Sequence, residues 1–237
     1  MQQVLALIEQ KKQEFAQVPL FKFMQDQSIN PRQRLAWAPC AAHFIMNFGE
    51  LNKYFLRVEP TNDPIQTLIN KHTYEDDHHW LWFLEDLKNL EFDKSVNFSE
   101  ALKFLWSEET KNARCLNYQL YRYTSQATPI QKIIVIEVTE STGNIMFSTA
   151  SEIGKEIKAI TQKPCRYFAD FHLNVETGHM TSLSGIEQFL QDIQLSEENR
   201  QEAFELVENL FTAFTQFTNE LLAYAKTHQI EQELKAA

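Results

Sequence analysis

IQTLINKHTYEDDHHWLWFLEDLKNL, running from Ile65 to Leu90, is the stretch on which the fold turns. It reads as one amphipathic helix. At 3.6 residues per turn, Ile65, Leu68, Ile69, Phe83, Leu87 and Leu90 share a face, and that face should be buried. The middle of the stripe is not apolar. His72, Asp76 and His79 fall on it, with Glu75 at its edge. Burying two imidazoles and a carboxylate costs desolvation unless they are satisfied, and a bound metal ion satisfies all of them together. His78 points off the face and is not counted as a ligand.

Composition agrees with a helical protein. The 237-residue chain is 43% hydrophobic, with only 5 Gly and 7 Pro, and it has few strand-like alternations. The reading is all-α, one domain over residues 1–237. A net charge of −10 argues against non-specific nucleic-acid binding. No apolar run is long enough to span a membrane. The N-terminal MQQVLALIEQKKQEF lacks a basic start and a small-residue cleavage site, and reads as a helix rather than a signal peptide. The 3 cysteines, Cys40, Cys115 and Cys165, are scattered and form no Cys-x-x-Cys pair, so a reducing, cytoplasmic setting is expected.

Outward from the opening stretch, Val4 to about Val18 reads as a helix ended by Pro19. Asn30-Pro31 opens a helix expected to run to Val58, kinked at Pro39 and buried from Leu35 to Phe48; an apolar surface there would allow a homodimer. Asp63-Pro64 caps the helix of the opening stretch. Ser99 is expected to cap another helix, and SQATP, Ser125 to Pro129, is a break. The run IIVIEV, Ile133 to Val138, has strand character, yet Ile133, Ile136, Glu140, Phe147 and Ser151 share one helical face, so a helix to Ile157 is expected, with a bend or close approach at Gly143. Glu137 lies to one side of that face. A further helix is expected from Pro164, on which His172, Glu176 and His179 interrupt a stripe of Cys165, Phe168, Leu183 and Ile186. A long helix from Glu197 to about Glu233 closes the chain.

Three helices thus offer inward-facing ligands: His72, Glu75 or Asp76, and His79; then Glu140; then His172, Glu176 and His179. Imidazole and carboxylate without thiolate suit Fe, Mn or Zn. Ligands one and two turns apart on facing helices are how helical bundles build dinuclear carboxylate centres. The competing reading is a buried histidine–carboxylate hydrogen-bond network without metal.

His172-x3-Glu176-x2-His179, with Glu140 before it and a helix whose motif ends at His79, resembles the haem-oxygenase-like di-iron oxidases over roughly Asp63 to Leu183. VIEVTESTGN, Val135 to Asn144, is similar to the Glu-bearing helix of that superfamily. The resemblance implies the fold shared by haem oxygenase, the thiaminase II (TenA) group and the pyrroloquinoline-quinone synthase. It also implies an iron-containing redox enzyme using O2 on a small molecule, with one or two Fe ions and Mn as the alternative; charge and hydropathy, as above, argue against a nucleic-acid or membrane partner. One departure stands out. Seven positions before His79 the family places a carboxylate, and here it is His72, so either His72 serves in its stead, Glu75 or Asp76 takes the role, or a single ion binds. The alternative is a metal-free small-molecule binder or cofactor-independent member of the same fold. None of the cysteines sits where a thiaminase-like nucleophile would, and His43, the one candidate for a haem ligand, has no supporting motif.

Overall fold

The computed structural model describes residues 1–93, 95–174 and 184–230. They form α1 (Gln2–Phe15), α2 (Pro19–Gln25), α3 (Pro31–Arg34), α4 (Ala42–Leu51), α5 (Pro64–Asp76), α6 (Trp80–Asn89), α7 (Phe98–Leu105), α8 (Lys111–Thr124), α9 (Pro129–Thr161), a short helical run at 170–174, α10 (Ser184–Asp192) and α11 (Glu197–Thr227). No strand occurs among the described residues, as the Gly scarcity and helical periodicity predict. No helix among them is long and apolar enough to cross a membrane.

The centre of the molecule is α9, packed against α1, α2, α3, α5, α8 and α11. Ile133, Ile134, Val135, Ile136 and Val138 are all buried, because neighbours surround this end of the helix on several sides. That explains why IIVIEV is helical. The strand preference of β-branched residues spans ~1 kcal/mol, whereas full burial of each such side chain contributes ~1.5–3 kcal/mol. Thr128 opens α9 with a capping box to Gln131, and Pro129 sits in the first turn. No bend or backbone contact marks Gly143. The close approach is at Gly154, where an added Cβ would lie 2.1 Å from the Phe168 carbonyl oxygen.

The caps expected at Asn30-Pro31 and Asp63-Pro64 are formed, by Asn30 accepting from the Arg32 N–H and Asp63 from the Gln66 N–H. Several boundaries differ from the sequence reading. Pro19 begins α2 rather than only ending α1, which stops at Phe15. The cap of α7 is Asn97, not Ser99. The helix expected from Pro31 to Val58 unwinds at residues 35–41 into a tighter 3-10 turn, because Pro39 has no N–H for the helical ladder. It ends in a π-helical turn, Asn52–Leu56.

The opening stretch is also broken. α5 stops at Asp76 and α6 begins at Trp80. Two contacts from outside the stretch explain the break. The Arg57 guanidinium donates to the Thr73 carbonyl at 2.8 Å, to Thr73 Oγ1 at 3.0 Å and to Asp77 Oδ2 at 2.8 Å, drawing the last turn of α5 outward. The turn then seats on Gly49 of α4, whose missing side chain admits the Asp77 carbonyl: a Cβ there would be 2.9 Å from that oxygen. The helix expected from Pro164 is likewise displaced. Among the described residues, 163–169 are a loop and 170–174 are helical.

Candidate metal centre

His72 and Asp76, one helical turn apart on α5, lie on the side that packs against α9. His72 Nε2 lies 3.0 Å from Asp76 Oδ2 and 3.5 Å from Glu140 Oε1 of α9. One ligand atom from each of the three residues lies within 4.8 Å of the other two. The Asp76 side chain is 1% exposed, and those of His72 and Glu140 are 16% exposed. Two carboxylates this close in so little water repel unless a cation stands with them or one of them keeps a proton.

The break after Asp76 makes the second half of the centre. Had α5 continued, His79 would follow its axis; instead it opens α6, buried, with Nδ1 3.9 Å from Asp76 Oδ1. His172, from the 170–174 run, meets it there: His172 Nε2 and His79 Nδ1 are 3.1 Å apart. His172 Nδ1 is 3.0 Å from the Tyr167 carbonyl, which can only accept, so this nitrogen carries the proton and Nε2 presents its lone pair toward His79. Two imidazole nitrogens at that distance share one proton or face one cation. Ligands bound at ~2.1 Å and roughly at right angles lie ~3 Å apart, so the spacing suits a shared ion. Asp76 stands between the clusters, Oδ2 toward His72 and Oδ1 toward His79. The donor set fits a hard or borderline divalent metal, at one or two positions.

His172 is held by residues outside the cluster. Asp86 of α6 accepts from the backbone N–H groups of Arg166, Tyr167 and Phe168 at 2.7, 2.8 and 2.9 Å, pinning the loop that presents the Tyr167 carbonyl. Burial pushes the Asp86 carboxyl up to about 6, against the opposing pull of those three donors. The sequence reading passed over Asp86. Its signal was a carboxylate three residues after Phe83 and four before Leu90, on the apolar stripe itself. Arg57 was missed too, and its role carries no local signal. Rings enclose the histidines: Trp82 stacks on His79 at 4.2 Å, and the Phe147 ring lies 4.0 Å from that of His172.

On one side the cluster opens into a narrow cavity of about 80 Å³. Asp76, His79, Glu140 and His172 form its polar wall. Trp37, Phe44, Phe48, Met146, Phe214 and Phe217 contribute to the rest. Such a chamber suits an apolar molecule held against a reactive centre.

The residues named from sequence sort as follows. His72, Asp76 and Glu140 come together, with His79 and His172 alongside. Glu75 is half-buried; among the described residues the three-residue cluster with His72 and Glu140 takes in Asp76. Glu176 and His179 lie outside the described residues. His78 is half-exposed beside Asp77. His43 is engaged elsewhere, with Nε2 2.6 Å from the Leu105 carbonyl. Cys165 is buried, and burial pushes its thiol up to about 12; Cys40 is raised further by the same cause.

No protein-family model matches the chain, and no curated protein does. Among solved structures it is similar to a domain of unknown function with a haem oxygenase-like fold from Shewanella denitrificans OS217. The two are 12% identical, with a TM-score of 0.62, over 95% of this chain and 91% of that one. At that identity the likeness speaks to fold alone, and the fold of this chain is haem-oxygenase-like.

Proposed function

We propose that this haem-oxygenase-like chain is a metal-dependent oxidase or oxygenase that uses O2 on a small apolar molecule in the cytoplasm. Its metal is iron, as one or two ions, with manganese as the alternative. The observation that carries the reading is the position of Asp76: a buried carboxylate with one oxygen 3.0 Å from His72 Nε2 and the other 3.9 Å from His79 Nδ1, in the wall of an apolar cavity. Glu176 and His179 belong to the proposal through the sequence motif.

Iron held there would supply one-electron chemistry toward O2. The chain's own residues do the rest. Asp76 and Glu140 offset the charge of a divalent ion, and the three imidazoles supply neutral donors. The Tyr167 carbonyl fixes His172 in the tautomer that leaves Nε2 free to ligate. Trp82 and Phe147 keep water from the histidines. The aromatic walls hold an apolar substrate against the carboxylate end.

The 3.1 Å contact between His79 and His172 also supports a second reading, in which His79 donates a hydrogen bond to His172 and the cavity serves a metal-free small-molecule binder. Metal analysis separates the two. Protein made in iron-supplemented medium is expected to carry close to one or two irons per chain. Protein that is metal-free and takes up no Fe(II) under anaerobic titration would overturn the first reading in favour of the second.

A further inference from the structure

α7 is a surface helix with more apolar sides than its own core covers. None of its residues is fully buried. Its inner side is seated through Phe104, whose ring meets that of Tyr224 on α11 at 5.7 Å. Ser99, Glu100 and Lys103 make a polar strip. Between the two runs a third side, on which Phe98, Leu102 and Trp106 recur every four residues. The Trp106 N–H bonds the Leu102 carbonyl at 3.1 Å, so Trp106 continues the turn. These three are 79%, 40% and 63% exposed. Val96, 62% exposed, comes just before the helix. Tyr118 of α8, 60% exposed, adjoins the other end: Arg114, one turn before it, donates to the Leu105 and Ser107 carbonyls at 2.7 and 2.9 Å. Single exposed apolar residues need no explanation, but a patch of them marks an interaction site. Residues 35–48, which the sequence offers as an apolar surface, are instead largely internal, with Leu35, Trp37, Cys40 and Ile45 buried.

We propose that the α7 face is the contact between two copies of the chain, packed antiparallel about a twofold axis at Leu102. The spacing is symmetric, since Phe98 and Trp106 each lie four residues from Leu102. The axis sets Leu102 against Leu102 of the partner subunit and Phe98 against the partner's Trp106, so the face is complementary to itself. Its area is sufficient. At ~150–250 Å² per aromatic side chain, the exposed parts of Phe98, Trp106 and Tyr118 come to about 400 Å². With Val96 and Leu102 added, two copies would bury about 1,000 Å², the lower bound for a specific interface, which fits a reversible dimer. Charge does not oppose it. Lys103 is paired with Glu100 at 2.7 Å and Lys111 with Glu108 at 3.3 Å, so the rim is locally neutral although each chain carries a net charge of −10. The same pairing disfavours a lipid surface, which an amphipathic helix holds through Lys and Arg free to meet anionic headgroups. The inference does not depend on the metal or on the cavity.

Analytical ultracentrifugation of the full chain over a concentration series, up to the high micromolar range, tests it. The wild type is expected to pass from the 27.8 kDa monomer to twice that mass. Leu102→Glu sets two carboxylates against each other on the axis and should raise the dissociation constant ~10-fold or more. Leu102→Lys should do the same, and an equimolar mixture of the two variants should dimerise again, because opposite charges then meet. Leu102 is exposed in the monomer, so melting temperature and circular dichroism should stay as in the wild type. Ile160→Glu, an exposed apolar position on α9, should leave the dimer intact. A wild type that stays monomeric at every concentration overturns the proposal, as does a dimer that Leu102→Glu leaves unchanged. Failure of the mixed variants to pair overturns the twofold at Leu102. A monomer that co-sediments with phosphatidylcholine vesicles, and no longer does so as Leu102→Glu, assigns the face to a membrane instead.

Discussion

Replacing Gly154 with alanine tests how tightly the loop behind His172 is held. The new Cβ would lie 2.1 Å from the Phe168 carbonyl oxygen, 3.2 Å from its carbon and 3.6 Å from Ala169 Cα. Carbon–oxygen contacts settle at ~3.3 Å or beyond, so helix and loop must part by ~1 Å. Neither can do so freely. α9 is packed on several sides, and Asp86 ties the loop to α6 through three backbone hydrogen bonds. Overpacking of this kind costs ~1–3 kcal/mol, and the better helix propensity of alanine offsets at most ~1 kcal/mol of it. A net loss of ~1–2 kcal/mol should lower the melting temperature by several degrees at this chain length, at ~2–4 °C per kcal/mol. The loop shift also pulls the Tyr167 carbonyl from His172 Nδ1, so metal affinity should fall ~10-fold or more, as when a supporting hydrogen bond to a ligand is lost. Gly143→Ala is the control. There a Cβ meets only the Phe147 ring, at 3.5 Å and beyond, and the change should be neutral or stabilising by up to ~1 kcal/mol. Calorimetry and a competitive metal titration read both variants. If Gly154→Ala melts no lower than the wild type, the close packing of α9 on the loop is refuted.

Three further outcomes follow from the same geometry. Because Asp76 faces both clusters, Asp76→Asn should lose all bound metal, whereas His72→Ala and His172→Ala should each retain one ion if two bind; elemental analysis showing equal loss in all three would contradict the shared role of Asp76. Arg57→Ala removes three hydrogen bonds and a cation–π contact to Tyr74 at 3.6 Å, and should cost ~2 kcal/mol in urea unfolding while weakening metal binding, because the break that places His79 is released; unchanged metal affinity would show that the break stands without Arg57. The Asp86 carboxyl is raised to about 6 from an ordinary 3.8, so the fold holds its proton more tightly than the unfolded chain does. Its favourable contribution is complete below ~pH 4 and is lost as pH rises through ~6, up to ~3 kcal/mol, so the stability of wild type relative to Asp86→Asn should decline by that much between pH 4 and 7. A pH-independent difference would refute it.

What the chain dictates by itself is what depends on near neighbours in sequence. The caps at Asn30 and Asp63 are chemistry of four consecutive residues, and both form. His72 and Asp76 are one turn apart on an α-helix wherever that helix goes, and Glu140 shares the face of Ile133 and Ile136, so the face each side chain occupies on its own helix was legible from periodicity. The same periodicity is blind to a break that keeps the polar pattern in phase. Nothing within Ile65–Leu90 says that the helix ends at Asp76. That is decided by Arg57 and by the space over Gly49, both upstream of the stretch and brought to it by folding. The loop at 163–169 has the same origin: Pro164 is a fair helix start locally, but Asp86, some 80 residues earlier, captures the N–H groups that follow it. The His79–His172 contact, at 3.1 Å, is made where those two long-range ties bend the backbone. Local spacing sets which side chains share a face; which faces meet, and at what depth, is fixed by contacts between residues far apart in the chain.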